Sequence, residues 1–269
     1  MPLHLAVYTL YQNQAHISMN TRPKYVIRSS GRVLLATFFA LLAACGGGGG
    51  SSSANNMSTT IAFAGTTATG KALANATIRI NCVQGSMSVA ADANGNYHAT
   101  LGAVTPCLIT STSGATVLLS TAFAGGTYNV TPETDLLLSY LAAQLGTTES
   151  GLVTGFATNT RFQQALANQS DVLTAQDAVV QNLQKKYGLT LTTPNFLTSS
   201  FAVGQPGVDS DLEALRASGA IDANGEPDPA AITLMATTGA AHPIATLPAF
   251  GTGGSGGNGA GTGSQGGMM

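Results

Sequence analysis

Short alternations of apolar and polar residues run through residues 59–130, separated by glycine, proline or asparagine. In the stretch NATIRINCV, every second residue from Ala76 to Cys82 is apolar and the residues between them are polar, which is typical of a half-buried strand. Similar stretches follow at intervals of roughly 8–12 residues, and Asn94-Gly95 favours a tight hairpin between two of them. The pattern predicts about six or seven strands in an antiparallel β-sandwich.

Beyond these stretches the apolar residues take up helical spacing. The first predicted helix follows Thr131, a good N-cap, with Pro132 in the first helical position and Gly146 at its end. Glu133 and Asp135 fall in the first turn, where negative charge complements the helix dipole. The apolar face of this helix consists of Leu137, Tyr140, Leu141 and Leu145.

Two further helices are indicated by caps and terminal charges. The first is predicted from Thr174, its N-cap, through Lys185–Lys186 to Gly188. Its apolar stripe consists of Val179, Val180, Leu183 and Tyr187. The second is predicted over Ser210–Ser218, with Asp209 as its N-cap.

The remaining helical region is less strongly patterned. Residues 161–167 predict a weak helix. The structure of residues 220–250 stays ambiguous at this point. AITLMATTG is compatible with a strand, and four prolines interrupt the rest of the segment.

Before the strands, residues 33–44 are apolar except for Thr37. These twelve residues are too few for a membrane span, which needs about 20, but they suit a secretory signal preceded by basic residues. Leu42-Ala43-Ala44-Cys45 resembles the lipobox of bacterial lipoproteins. The resemblance implies a diacylglycerol on Cys45 and cleavage before it, and Gly46 in the next position implies the outer membrane as destination.

This leader sets the expected outer boundaries of the folded part. The signal peptide covers 1–44, and a leader of ordinary length starts at Met19, so we interpret 1–18 as an upstream start. Glycine and serine make 45–58 a flexible tether. The glycine-rich tail, 251–269, is expected to be disordered. It contains matches to G-x-G-x-x-G and G-x-S-x-G, but they lack the strand and helix that such motifs require.

Charge excludes one class of partner. Six basic and twelve acidic residues follow Cys45, which gives the processed chain a formal charge of −6. Charged residues make up only 8% of the sequence, so we expect no nucleic-acid binding. Tryptophan is absent and aromatic residues make up 6%, which leaves few stacking platforms for sugars.

Cys82 and Cys107 are the cysteines that remain once Cys45 carries lipid. In an oxidising compartment we expect them to form a disulfide. The disulfide would close a loop and so lower the entropy of the unfolded chain. In the chain-entropy account this stabilises the fold by roughly 3–4 kcal/mol. Two cysteines cannot complete a structural zinc site, and no histidine lies at ligand spacing from either.

The segment from Gly70 to Tyr97 resembles the carboxypeptidase-regulatory-like and bacterial Ig-like modules of secreted proteins. Gly70, Leu73 and Ala76 match the entry pattern of these modules, although Ala72 and Asn75 replace its usual proline and glycine. A D-x-x-G-x-Y hairpin is matched by Asp92, Gly95 and Tyr97. The resemblance implies an Ig-like or transthyretin-like sandwich that serves as a spacer or binding scaffold.

These observations predict an α+β fold. An Ig-like sandwich over 59–130 is followed by a helical region over 131–250. The motifs NVTPETDL and FAVGQPGVDSDLEAL, in this order, resemble the layout of a group of proteobacterial lipoproteins without an assigned activity.

Three acidic stretches are candidates for calcium, since calcium prefers several oxygen ligands on a bent loop. None of them fits the EF-hand spacing. A hairpin turn explains Asp92 and Asn94, and an N-cap explains the stretch of Asp209, Asp211 and Glu213. The third stretch is the least explained, so we predict no metal but keep it as a weak candidate site. It consists of Asp222, Asn224, Glu226 and Asp228.

Catalysis finds little support in the sequence. His98 and His242 are the histidines beyond the leader, and neither has a nucleophile or carboxylate at a suggestive spacing. We therefore expect no enzyme activity and no cofactor. The predicted function is a lipid-anchored envelope protein that binds an envelope protein or a polysaccharide, or has a structural role. An envelope enzyme or sugar-processing accessory that uses the helical region, and a calcium-dependent adhesin, are the alternatives.

Overall fold

The computed structural model describes residues 59–244, which contain six β-strands and six α-helices. The predicted α+β class is therefore confirmed. The leader, Cys45, the tether and the glycine-rich tail lie outside the described residues. Among residues 59–244, no helix has the length and apolar character needed to cross a membrane.

The strands come first in the chain and the helices follow. The strands are β1 (Thr59–Thr66), β2 (Thr77–Gln84), β3 (Ser86–Ala90), β4 (Asn96–Ser113), β5 (Thr116–Ala122) and β6 (Gly126–Thr127). The helices are α1 (Pro132–Gln144), α2 (Glu149–Gly155), α3 (Thr160–Ala167), α4 (Gln169–Tyr187), α5 (Val208–Ala217) and α6 (Pro229–Ala240).

The 18-residue strand β4 organises the sheet. Its first half pairs with β1, and its second half lies between β2 and β5. The strand order is β3-β2-β4-β1-β6, with β5 beside β4. The prediction of a purely antiparallel sheet is wrong, because β6 pairs with β1 in parallel and makes the sheet mixed.

One face of each strand pair is buried. In β2, Ile78 and Ile80 are buried and Arg79 is exposed, as the alternation predicts. In β4, Tyr97, Ala99 and Leu101 are buried while the residues between them are exposed. The buried side chains of the strands and of the helices form one hydrophobic core.

Strand β4 runs through Pro106 without a break. Pro106 precedes Cys107, the partner of Cys82, and the β2–β4 register shifts between Cys82 and Gln84. A residue without an N–H is tolerated at such an irregularity because no regular ladder hydrogen bond is required there.

Cys82 and Cys107 lie directly opposite each other on β2 and β4. Their sulfur atoms form a disulfide with an S–S distance of 2.03 Å. The bridge joins adjacent strands of one ladder, and Cys107 is fully buried. It therefore reinforces the contact between β2 and the strand that organises the sheet.

Helix α1 is buried almost along its whole length. It packs against α6, β5, α4 and α2. Thr131 is the N-cap, as predicted, and the structure adds a capping box: Thr131 N donates to Thr134 Oγ1 over 2.9 Å, and Thr131 Oγ1 accepts from Thr134 N over 3.4 Å. These bonds satisfy helix-end groups that no solvent reaches.

Two of the predicted N-caps are wrong. Thr174 lies inside α4, which begins at Gln169 with Asn168 as its N-cap. The side chain of Asn168 accepts from two backbone amides, so the helix starts earlier and adds a buried Val172 to its apolar stripe. Asp209 likewise lies within α5, whose N-cap is Gly207.

The segment AITLMATTG belongs to a helix, so its interpretation as a strand is wrong. Asp228 caps α6 by accepting from Ala230 N over 2.8 Å, and Pro229 occupies the first helical position. Ala231, Met235 and Gly239 form its buried face. Packing against α1 and a good N-cap outweigh the low helix propensity of the β-branched residues in this segment. Helix α2 has no counterpart among the predictions, whereas α3 matches the predicted weak helix within one residue.

Two turns of identical sequence, DANG, occur at 92–95 and 222–225. In both, the aspartate carboxylate accepts from the amides two and four residues later, over 2.8–2.9 Å. Both turns pack on one segment: a Cβ on Gly95 would collide with the Thr67 carbonyl, and a Cβ on Gly225 would lie 2.5 Å from Thr69 Cβ. The second turn thereby fastens the helical half of the chain to the strands.

We predict that Gly225→Ala destabilises the fold far more than Gly188→Ala. Both glycines have positive φ (+86° and +68°), which costs an alanine about 1–2 kcal/mol. Only Gly225 also faces the buried Thr69, and the collision adds about 1–3 kcal/mol. Urea unfolding measures both free energies. Equal losses would show that the turn does not pack against Thr69.

Candidate functional site

Four carboxyl side chains are buried around α1 and α5. The exposed fraction is 0% for Glu133, 7% for Asp135, and 2% for both Asp209 and Asp211. Ionised carboxylates are rarely found at such depth unless hydrogen bonds or opposite charges compensate for lost hydration. The surroundings of each group therefore decide whether it has a structural or a chemical role.

Asp211 and Asp209 anchor the loop between α4 and α5. Asp211 accepts three hydrogen bonds of 2.8–2.9 Å, from the amide and hydroxyl of Thr192 and from the amide of Thr193. Asp209 Oδ2 accepts from Gly204 N over 2.7 Å. These contacts explain Asp211 structurally, whereas Oδ1 of Asp209 is buried without a hydrogen-bond partner. Asp209 is not the N-cap that the sequence suggested, because Gly207 holds that position.

Glu133 lacks such compensation. Neither of its carboxyl oxygens has a hydrogen-bond partner. Burial, and secondarily the charge of Asp211, raise its pKa well above the ordinary value of a glutamate. Burial therefore favours the protonated form of Glu133 over the ionised form.

Asp135 belongs to a second group of carboxyls, together with Glu149 and Glu226. Burial raises the pKa of Asp135 well above its ordinary value, and the charge of Glu149 and a hydrogen bond with it raise this pKa further. A hydrogen bond from the backbone of Leu119 opposes the shift, and the charge of Glu226 adds to it. Ser139 Oγ donates to Glu149 Oε2. The protonated form of Asp135 is therefore favoured beside Glu149 of α2.

The candidate calcium stretch at 222–228 is occupied by its own backbone. Asp222 Oδ1 accepts from Asn224 N and Glu226 N over 2.9 Å, and Asp228 caps α6. Partial burial alone would raise the pKa of Asp222, but these N–H donors outweigh it and hold the pKa below its usual range. Within residues 59–244, no group of three or more His, Cys, Asp or Glu side chains is arranged to hold a metal ion.

The two histidines lie on the surface in separate elements. His98 is exposed on β4, and His242 is exposed just after α6, with Nδ1 2.9 Å from the Thr238 carbonyl. No described hydrogen bond joins either one to a buried carboxyl. The structure therefore brings no nucleophile, base and acid together through them.

A cavity of about 400 Å³ opens where α1 ends and α3 meets α4. Its polar lining includes Gln144, Arg161 and Asp171, and the chain segment Pro243–Ile244 closes one side. Sequence reasoning missed this site because its residues are far apart in the chain. The one available signal was the isolated Arg161, since cations are scarce in this sequence.

A second concave surface lies on the outer face of the sheet. It has a volume of about 700 Å³ and a floor of hydroxyl, amide and guanidinium groups on β2, β3 and β4. Val153 of α2 borders it. Its side chains include Thr77, Arg79, Asn81, Thr110 and Thr112.

No protein-family profile, no curated protein and no solved structure matches this chain. The site and its chemistry therefore rest on the geometry described above.

We predict that Glu133→Gln removes part of the pH dependence of stability. The folded chain keeps a proton on Glu133 that the unfolded chain releases above pH 4.5, the ordinary pKa of the group. The free energy of unfolding of the wild type therefore falls as the pH rises from about 4.5 towards the raised pKa. The variant should match the wild type near pH 4 and exceed it near pH 8 by about 1–3 kcal/mol.

Urea unfolding between pH 4 and 8 measures this difference. Glu213→Gln is the matched control, because Glu213 lies on α5 with its side chain exposed and should leave the pH dependence unchanged. An unaltered slope in Glu133→Gln would mean that Glu133 ionises freely in the folded chain.

Proposed function

We propose that this chain is a lipid-anchored protein of the bacterial outer membrane with a binding role. The apolar run that ends in Leu42-Ala43-Ala44-Cys45 supports the anchor. The observation that carries the envelope location is the Cys82–Cys107 disulfide, because such bridges persist in oxidising compartments. A glycine- and serine-rich tether gives the folded part freedom to reach a partner.

The strands serve in this proposal as an Ig-like scaffold. Support comes from β4, whose two halves take different partners, as expected of a strand shared by two layers of a sandwich. The disulfide reinforces β2 against β4. A rigid scaffold of this kind presents binding surfaces at its faces and in its connecting segments.

A binding role suits the described chemistry better than catalysis. Asp209 and Asp211 accept hydrogen bonds from loop amides, Glu133 and Asp135 are buried away from solvent, and both histidines are exposed on separate elements. The two concave surfaces, in contrast, are open and lined by hydrogen-bonding side chains. The partner we propose is an envelope protein or a polysaccharide, and not a nucleic acid, because the processed chain carries a formal charge of −6.

An envelope enzyme or sugar-processing accessory is the second candidate. The observation that favours it is the cavity of about 400 Å³ among the helices, since such cavities commonly accept small molecules. It predicts that His98→Ala or His242→Ala abolishes function in cells at unchanged thermal stability. The binding role predicts that neither substitution has this effect.

We predict that Cys45→Ala moves the protein from the membrane fraction to the soluble fraction. Each buried methylene of an acyl chain contributes about 0.8 kcal/mol, so losing the lipid removes the anchor entirely. Ser52→Ala, within the tether, is the matched control and should stay with the membrane. Fractionation and immunoblotting of cells expressing each variant give the answer. Retention of Cys45→Ala in the membrane fraction would contradict the proposal.

A further inference from the structure

We infer that the cavity at the end of α1 binds a small zwitterion, an amino acid or a short peptide with a free carboxylate and a free ammonium group. This inference deepens the binding role proposed above and rests on it. The cavity is lined by the guanidinium of Arg161 and by acceptor oxygens of Gln144 and Asp171 that have no described partner. The guanidinium and the acceptors can be assigned to the two ends of such a ligand.

The group that would bind the carboxylate is Arg161, in the first turn of α3. Arg161 is exposed and lines the cavity, and its guanidinium donates no hydrogen bond to any described residue. A guanidinium presents parallel N–H donors that match a carboxylate.

The groups that would accept from the ammonium are Gln144, at the end of α1, and Asp171, in the first turn of α4. Gln144 Nε2 donates to the His242 carbonyl over 2.9 Å, but its buried Oε1 has no partner. Asp171 Oδ2 accepts from Asn168 Nδ2 over 2.9 Å, and no described residue donates to Oδ1. The C-terminal end of α1 adds a partial negative charge. An ammonium group has three donors for such acceptors.

Arg161 and Asp171 line the same cavity without forming an ion pair. A zwitterion complements both groups at once. A simple anion would meet the charge of Asp171 and a simple cation that of Arg161, so both are disfavoured. The volume of about 400 Å³ lies near the lower end of small-molecule sites, which suits one or two amino-acid residues. Leu145, Ala165 and Ile244 offer apolar contacts to a small side chain.

The test is calorimetric titration of the full chain, purified in detergent, with the dipeptides Ala-Ala and Ala-Leu. N-acetyl-Ala-Ala and Ala-Ala-amide are the matched probes, since each removes one of the two charges. We expect the free dipeptides to bind and each blocked form to bind at least tenfold more weakly. Failure of both free dipeptides to bind at millimolar concentration, or equal binding of the blocked forms, overturns the inference.

Variants locate the site. Arg161→Gln and Asp171→Asn should each weaken Ala-Ala binding at least tenfold, whereas Arg79→Gln, on the outer face of the sheet, should not. Arg161 and Arg79 are both exposed, so melting temperatures should stay unchanged and separate lost binding from lost folding. If Arg161→Gln binds Ala-Ala with wild-type affinity, the assignment of the ligand carboxylate to Arg161 is overturned.

The outcome is distinguishable from failure of the proposed function. Membrane fractionation of Cys45→Ala tests the anchor and does not depend on dipeptide binding. Absent dipeptide binding beside an intact lipid anchor removes this inference alone. Dipeptide binding by a chain that carries no lipid removes the anchor and keeps the site.

Discussion

The burial of α1 on nearly every side is the constraint on which the rest of the structure depends. Strands pack on it through β5, and helices pack on it through α2, α4 and α6. Its polar start must be satisfied by the protein itself, because water does not reach it. Thr131 and Thr134 do this by reciprocal capping, and the neighbouring Asn129 binds the Phe196 and Ser199 carbonyls over 2.7–2.8 Å. The helical half of the chain is thereby fixed against the strands.

The same burial explains the unusual acids. Glu133 and Asp135 sit in the first turn of a helix, where negative charge is ordinarily favourable and exposed. In this protein the turn is enclosed, so hydration is lost and burial raises both pKa values. Asp211 remains compensated, because two backbone amides and a hydroxyl donate to it, whereas Asp209 accepts from one amide and keeps one buried oxygen without a partner. Acids with raised pKa values on α1 thus lie close to the hydrogen-bonded Asp211 of α5, with few cations available in a sequence that is 8% charged.

Sequence patterns were sufficient to predict features that depend on neighbouring residues in the chain. Alternation identified the buried face of β2, and Thr131 with Pro132 identified the start of α1. Patterns of this kind failed where tertiary packing decides: α6 is helical because it packs against α1. The sequence predicted a single apolar face for α1, whereas the structure buries nearly all of its residues, so the depth of Glu133 was not predicted. The cavity beside Arg161 was not foreseeable, since the fold brings three distant segments together.

In the proposed function, the chain is a disulfide-reinforced binding protein held at a membrane by lipid. The central proposal is processing and acylation at Cys45, because the envelope location and the membrane anchor both follow from it. Intact-mass and peptide mass spectrometry of the protein purified from membranes measures this directly. The account predicts a chain that begins at an acylated Cys45, with Cys82 bonded to Cys107. An unmodified Cys45, or a chain that still begins at Met1, would contradict it.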